Sequence, residues 1–256
     1  MKFITKSIIT KCILVTLAFS PVTYAMTKQE KLAEITQMLE QNEGIIDSVH
    51  DSLAAYIDQQ SSFDKTLAES HDFIYNNPHH PWYGSEHPKL TIVNMTDYSC
   101  PWCKKLDPVL RKIADHFPND IKVISIYVPL KERDSAVNSA TFGINVWNND
   151  KAKYKAVEEM LISKPGIHNL RSIMKVANKN KVADDVSSNS EISIEVAENY
   201  NLFTKLGVQG TPAMLIDGTL LPGYLPYEKL YPIIKAKLDE KVNRINSQEL
   251  IFYYSR

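Results

Sequence analysis

The sequence predicts an α/β chain: a helical arm, then a sheet domain that carries two cysteines at the mouth of a helix and has a long helical stretch inserted in its connections. Three observations lead there. Residues 90–95 are apolar and partly β-branched, and they run through a turn into Cys100-Pro101-Trp102-Cys103 and a segment with Val109, Leu110, Ile113, Ala114 and Phe117 at helical spacing. Far downstream, Gly207-Val208-Gln209-Gly210-Thr211-Pro212 leads into the apolar strand Ala213-Met214-Leu215-Ile216. Asp217-Gly218 then signals a hairpin turn. Residues 27–75 have a different texture, rich in Glu, Gln, Asp and Ser, with an apolar stripe of helical period.

Taken in order, residues 1–25 combine Lys2, Lys6 and Lys11 with a short apolar core and the small-residue end Val22-Thr23-Tyr24-Ala25. This is the pattern of a secretory signal peptide cleaved after Ala25, and the apolar core is too short for a good membrane span. Removing it takes away three lysines and no acid, so the formal charge falls from −1 to −4. A mildly acidic chain gives no reason to expect nucleic acid or an anionic membrane as partner. Of three cysteines, Cys12 leaves with the signal. Two cysteines in more than 200 residues are a reagent rather than a staple, because a chain of that length buries a core without disulfides.

Residues 26–76 are expected to form a helical arm. Leu32, Ile35, Leu39, Asn42, Ile46, Val49, Leu53, Tyr56 and, after Gln60, Phe63 alternate in steps of three and four, with Asn42 as a polar seam residue. A seam that narrow favours pairing with further copies, as dimer or trimer, over an amphipathic helix lying on its own domain, and Gly44 weakens it locally. Residues 77–88 hold three prolines and a glycine and read as a linker, with Trp82 anchoring it and with His79, His80 and His87 exposed.

The sheet domain is placed at residues 89–241. After the cysteine helix, residues 121–128 read as a strand that Pro129 ends. Residues 135–206 read as helical, broken near Asn148-Asn149-Asp150, Lys164-Pro165-Gly166 and Ser187-Ser188-Asn189, with Trp147, Tyr154, Met160 and Met174 as core. A last helix is expected over residues 227–241, with Pro232 bending or delaying it, and residues 242–256 are read as a C-terminal tail.

Cysteines three apart on a first helical turn project from nearly one face and can close a disulfide. Cys100 comes first, over the unpaired N–H groups at the positive end of the helix, which favours its thiolate; Cys103 is then the resolving thiol. The competing reading is half of a zinc site completed by His79, His80 or His87. The surrounding pattern favours the redox pair.

Together these segments resemble the DsbA-like thioredoxin-fold disulfide oxidoreductases of the bacterial envelope, especially the ScsC-type branch with an added N-terminal segment. The likeness lies in Thr91-Ile92-Val93, Asp97-Tyr98-Ser99-Cys100-Pro101-Trp102-Cys103-Lys104, residues 206–213 and Leu221-Pro222-Gly223-Tyr224, and covers about residues 77–238. It implies a thioredoxin fold with an inserted helical domain. Cys100 and Cys103 would be catalytic, and Thr211, Pro212, Pro101 and Trp102 would be substrate-binding, with a cis Thr211-Pro212 bond facing the cysteines. It implies no cofactor beyond the Cys100-Cys103 disulfide. The implied partners are exported cysteine-containing proteins, a membrane redox protein of DsbB or DsbD type, and further copies of the chain, in the periplasm. Thr before the proline is similar to DsbC and DsbG and leans toward isomerase or mixed activity. A chaperone-like client-binding protein with a secondary redox role is the alternative. The chain departs from the family where a buried acid usually stands six residues before the first cysteine. Here that residue is Asn94. Asp97 is the nearest acid, read as a loop carboxylate favourable to the helix dipole.

Overall fold

The computed structural model describes residues 26–254. The expected signal peptide and Cys12 lie outside the described residues. The described chain divides into two compact units, one ending at Ala55 and the other beginning at Tyr56.

In the first unit, α1 (Lys28–Glu40) starts with a capping box between Thr27 and Glu30, which satisfies two N–H groups that the helix cannot pair. A single 3₁₀ turn (Glu43–Ile45) follows, and then α2 (Ile46–Glu69) begins. The expected continuous seam is therefore broken. Asn42 does not sit in it; its side-chain amide donates to the Met38 carbonyl (2.9 Å) and so ends α1, next to the helix-weakening Gly44. Neither α1 nor α2 has a buried residue, and Leu32, Ile35, Met38, Ile46, Val49 and Leu53 are all exposed.

In the second unit, the C-terminal part of α2 and the short helix α3 (His71–Tyr75) contribute Phe63, Leu67, Phe73 and Ile74 to the core of the sheet. These residues were expected to belong wholly to the arm. Residues 77–88, expected as a linker, contain the strand β1 (Trp82–Gly84), which pairs antiparallel with β3. His80, expected exposed, is buried against Glu195 (2.9 Å) and Asn199 (3.0 Å). Trp82 lies edge-on to Trp147, whose indole N–H donates to the Pro78 carbonyl (2.9 Å). A proline-rich stretch lacks periodicity because extended chain without regular side-chain alternation gives none, yet its backbone still reaches the sheet.

The sheet has five strands in the order β1-β3-β2-β4-β5, where β2 is Leu90–Thr96, β3 Ile121–Tyr127, β4 Ala213–Ile216 and β5 Thr219–Pro222. Among the described residues only β2 and β3 run parallel, joined by the crossover helix α4 (Pro101–His116). Strand alternation divides the core. Leu90 and Ile92 face α4 and the final helix, packing with Leu106, Leu110, Ile113, Leu230 and Ile234. Val93 and Met95 face Leu202, Phe203 and Leu206.

The insertion forms α5 (Ser139–Asn149), α6 (Lys151–Ser163), α7 (Leu170–Asn180) and α8 (Ser190–Lys205), breaking where the turn residues predict and once more at Lys181, in the left-handed region (φ 57°). Its core holds Phe142, Trp147, Tyr154, Leu161, Ile173 and Ile192. A fully buried ring of phenols ties it to the sheet: Tyr98 to Tyr127 (2.7 Å), Tyr127 to Tyr154 (2.8 Å), and both Tyr127 and Tyr154 to Glu158, which also pairs with Arg111 of α4. Gly143 on α5 gives Tyr98 its place, since a Cβ there would lie 3.0 Å from both the ring edge and the hydroxyl. Tyr98 cannot yield, because two other phenols hold it. Gly143→Ala is expected to destabilise the protein by about 1–2 kcal/mol in urea titrations, despite the roughly 1 kcal/mol that alanine gains in a helix.

The final helix, α9, runs Tyr227–Tyr254. It neither begins late at Pro232 nor ends near Lys241. Pro232 falls six residues into the helix and is tolerated there, and after Lys241 no Pro or Gly interrupts the helix, so most of the expected tail is its continuation.

Candidate active site

Strand β2 ends at Thr96, and residues 97–100 turn the chain into α4. Cys100 is the N-cap of that helix in an extended conformation (φ −84°, ψ 124°), and Pro101 occupies the first helical position, where its missing N–H costs nothing. The turn is held by the Cys100 N–H donating to the Asp97 carbonyl (3.0 Å). Cys103 lies one turn deeper. Cys100 is 6% exposed and Cys103 1%.

Residues 111 positions further on complete the site. The Thr211-Pro212 peptide bond is cis, and the Cys100 thiol donates to the Thr211 carbonyl (3.2 Å). The Gly223 N–H holds the Pro212 carbonyl (2.8 Å), fastening this loop to the end of β5. Trp102 is half exposed and stacks on Tyr224 (5.8 Å), with the Lys105 ammonium 4.4 Å from its ring. Pro101 is exposed beside it. Cys100, Cys103, Thr211 and Pro212 thus come together, with Pro101 and Trp102 on the rim.

The two thiols differ sharply in acidity. A hydrogen bond from the Cys103 thiol is the largest influence on Cys100; burial opposes it, and the backbone N–H groups of Cys103 and Trp102 add to it, so that Cys100 is lowered to about 5. Helix-end N–H groups contribute as the sequence suggests, but the neighbouring thiol contributes more. Burial first, then the hydrogen bond that Cys103 donates to Cys100, and then the Cys100 charge push Cys103 far above the ordinary thiol range. At neutral pH Cys100 gives up its proton, and with it the hydrogen bond to the Thr211 carbonyl, while Cys103 holds its own.

Asp97 is not the exposed loop carboxylate expected from the sequence. It is 1% exposed, accepts from the Ser99 N–H (2.7 Å) and the Lys131 N–H (3.2 Å), and burial pushes it up to about 6. Beside it lies Glu132, also buried, which accepts from the Ser99 hydroxyl (2.5 Å), the Ser139 hydroxyl (2.5 Å) and the Ser139 N–H (2.8 Å). Sequence reasoning missed Glu132, because in Lys131-Glu132-Arg133-Asp134 it reads as one member of a solvated charge run. Ser99 also accepts from the His168 N–H (2.8 Å), while the Lys104 ammonium donates to the carbonyls of Lys164 and Gly166. The loop between α6 and α7 is thereby pinned to both flanks of the cysteine pair.

Among the described residues there is no group of three or more His, Cys, Asp or Glu arranged to hold a metal. His79 engages Asn148 and Glu191, and His80 engages Asn199 and Glu195.

The family model described as Thioredoxin matches residues 76–236. The chain belongs to the thioredoxin family. Within it, the likeness is to the DsbA-like thiol-disulfide oxidoreductases. The solved catalytic domain of Proteus mirabilis ScsC is 34% identical, covering 68% of this chain and 98% of that one with a TM-score of 0.64. A periplasmic thioredoxin-like protein from Salmonella enterica serovar Typhimurium is 37% identical over 66% of this chain and 95% of its own, TM-score 0.61. Among curated proteins, the thiol:disulfide interchange protein DsbC of Escherichia coli (strain K12) is 29% identical over 164 residues, 62% of this chain and 54% of that protein. The chain spans about half the length of the curated DsbC relatives it matches. For a thioredoxin-family member, Asn94 in β2 is the notable departure. It is buried on the α4 side of the sheet, its carbonyl oxygen has no partner among the described residues, and it offers no ionisable group.

Proposed function

We propose that this protein is a periplasmic thiol-disulfide oxidoreductase that forms or isomerises disulfides in exported proteins through Cys100-Pro101-Trp102-Cys103. The observation that carries the reading is the pairing of an acidified thiol at a helix N-cap with the backbone of the cis Thr211-Pro212 loop 3.2 Å away. An extended client strand would align on the backbone of Thr211 and present a sulfur to Cys100.

In oxidation, a client thiolate attacks the Cys100 sulfur of the Cys100-Cys103 disulfide, and Cys103 leaves as thiolate and takes a proton. A second client thiolate then attacks its partner's sulfur in the mixed disulfide, expelling Cys100 as a thiolate that its surroundings stabilise. In isomerisation the Cys100 thiolate attacks a wrong client disulfide, and the expelled client thiolate either attacks another client disulfide or returns to free Cys100. No cofactor is needed beyond the sulfurs. A membrane protein of DsbB or DsbD type would reset the pair. Among the described residues no helix is long and apolar enough to cross a membrane.

The likeness to DsbC supports an isomerase component, and so does the exposed apolar stripe of the N-terminal unit, which fits pairing with further copies. Because Phe63, Leu67 and Ile74 belong to the core of the second unit, an arm deletion must stop at Ala55. Deleting residues 27–55 is expected to yield a monomer in sedimentation that still reduces insulin but repairs scrambled ribonuclease several-fold more slowly. An unchanged mass and repair rate would remove the arm from the function. The same stripe favours the second reading, a client-holding chaperone. Suppression of aggregation retained in Cys100→Ala and lost with residues 27–55 would establish it.

A further inference from the structure

The carboxyl group of Asp97 is built into the same turn as the Cys100 sulfur. Its backbone carbonyl takes the Cys100 N–H and its Oδ1 takes the Ser99 N–H, so carboxyl and thiol cannot separate without unmaking the start of α4. Asp97 is buried and Cys100 nearly so, so charge on one is felt by the other with less screening than at the surface. Asn94, where the family places an acid, has no proton to exchange.

From this arrangement we infer that Asp97 is a redox-linked proton acceptor: it takes up a proton when the Cys100-Cys103 disulfide is reduced and releases it when the disulfide re-forms. The inference rests on the oxidoreductase reading above and adds to it the group that balances the charge. Written for glutathione, the disulfide, the Asp97 carboxylate and two glutathione thiols give the Cys100 thiolate, the Cys103 thiol, the Asp97 carboxylic acid and glutathione disulfide. Two protons and one negative charge stand on each side.

The surroundings favour this exchange. Glu132, on the loop before α5, is a second acid facing Asp97, and the Cys100 charge at the N-cap of α4 adds a second repulsion. The Lys104 ammonium, the cation that faces all three, is spent on the carbonyls of Lys164 and Gly166 and makes no ion pair with either acid. His168, beyond Ser99, has one ring nitrogen engaged by Ser172 and the other by the Leu161 carbonyl. Lys131 reaches Asp97 through its backbone N–H. A thiolate appearing at Cys100 therefore raises the proton affinity of Asp97, and by linkage an ionised Asp97 opposes the thiolate.

The test is the equilibrium with reduced and oxidised glutathione from pH 5 to 8, in the full chain and in Asp97→Asn. Reduction to thiolate and thiol without a second acceptor releases one proton, so its equilibrium constant rises tenfold per pH unit. With Asp97 accepting part of that proton, the wild-type constant is expected to rise distinctly less than tenfold per pH unit below about pH 6. Asp97→Asn should steepen the slope there, and near pH 7 should be reduced more readily, with a correspondingly lower Cys100 titration midpoint. Carbon-13 NMR of the Asp97 carboxyl gives a second readout that needs no variant, its midpoint being higher in the reduced than in the oxidised protein. Superimposable profiles for the two proteins, or equal carboxyl midpoints in the two redox states, would overturn the inference while leaving the oxidoreductase reading intact. No exchange with glutathione at any pH would overturn both.

Discussion

Cys100→Ala is expected to lower insulin reduction and glutathione exchange by at least about three orders of magnitude, because the step that makes or breaks every bond passes through that sulfur. The companion measurement is iodoacetamide labelling of Cys103→Ala against pH. Removing Cys103 also removes the hydrogen bond that contributes most to Cys100 acidity, so the midpoint should rise from about 5 toward the ordinary thiol range while staying below it, held by backbone N–H groups and by Thr211. In the reduced wild-type protein the acidity of Cys100 is also a stability effect. A thiol lowered from 9 to about 5 stabilises the fold fully above pH 9, partly between, and not at all once pH falls through about 5. The oxidised protein lacks this contribution. The melting temperature of the reduced form relative to the oxidised is therefore expected to rise from pH 5 to pH 8. An acid-independent difference would show that the thiolate is not what the fold stabilises.

Glu158→Ala should cost about 2–3 kcal/mol in urea unfolding, a large loss for a side chain outside the cysteine site. Glu158 is buried and serves two phenols and the Arg111 guanidinium at once. Its loss takes from the half-buried Arg111 on α4 one of its two carboxylate partners, leaving Asp107 (3.0 Å), and leaves hydroxyls of Tyr127 and Tyr154 short of an acceptor. Glu158→Gln keeps an acceptor for the phenols but not the charge that Arg111 needs, and should recover only part of the loss. Because Arg111 lies on the helix that carries Cys103, a drop in exchange rate at temperatures where Glu158→Gln is still folded would show that the ring also positions the cysteines.

Much of the fold was legible because its signals are local. A β-branched run, a proline after a cysteine, a Gly-Thr-Pro loop before an apolar strand and Asp217-Gly218 each dictate backbone geometry within a few residues. The breaks between α5, α6, α7 and α8 were readable for the same reason, apart from Lys181, which nothing in its type marks for the left-handed region. The strand β1 was not readable. Its three residues carry no alternation, and only β3 supplies the partners that make it a strand. The length of α9 was underread because the apolar end of the chain has no stop signal but looks like one more loose terminus.

The divide runs through the site as well. Cysteine spacing and helix position follow from covalent geometry, so the sequence alone determined that Cys100 and Cys103 share one turn with Cys100 outermost, and the distant Thr211-Pro212 was recognisable as their partner. Burial does not follow from residue type. Asp97 read as a surface carboxylate until the loop holding Lys131 and Glu132 closed over it, and Glu132 looked solvated until Ser99 and Ser139 reached it. Tertiary structure alone decided that acids sit beside the thiolate, because the desolvation that sets their proton affinity is a property of the packed neighbours and not of any short stretch of chain.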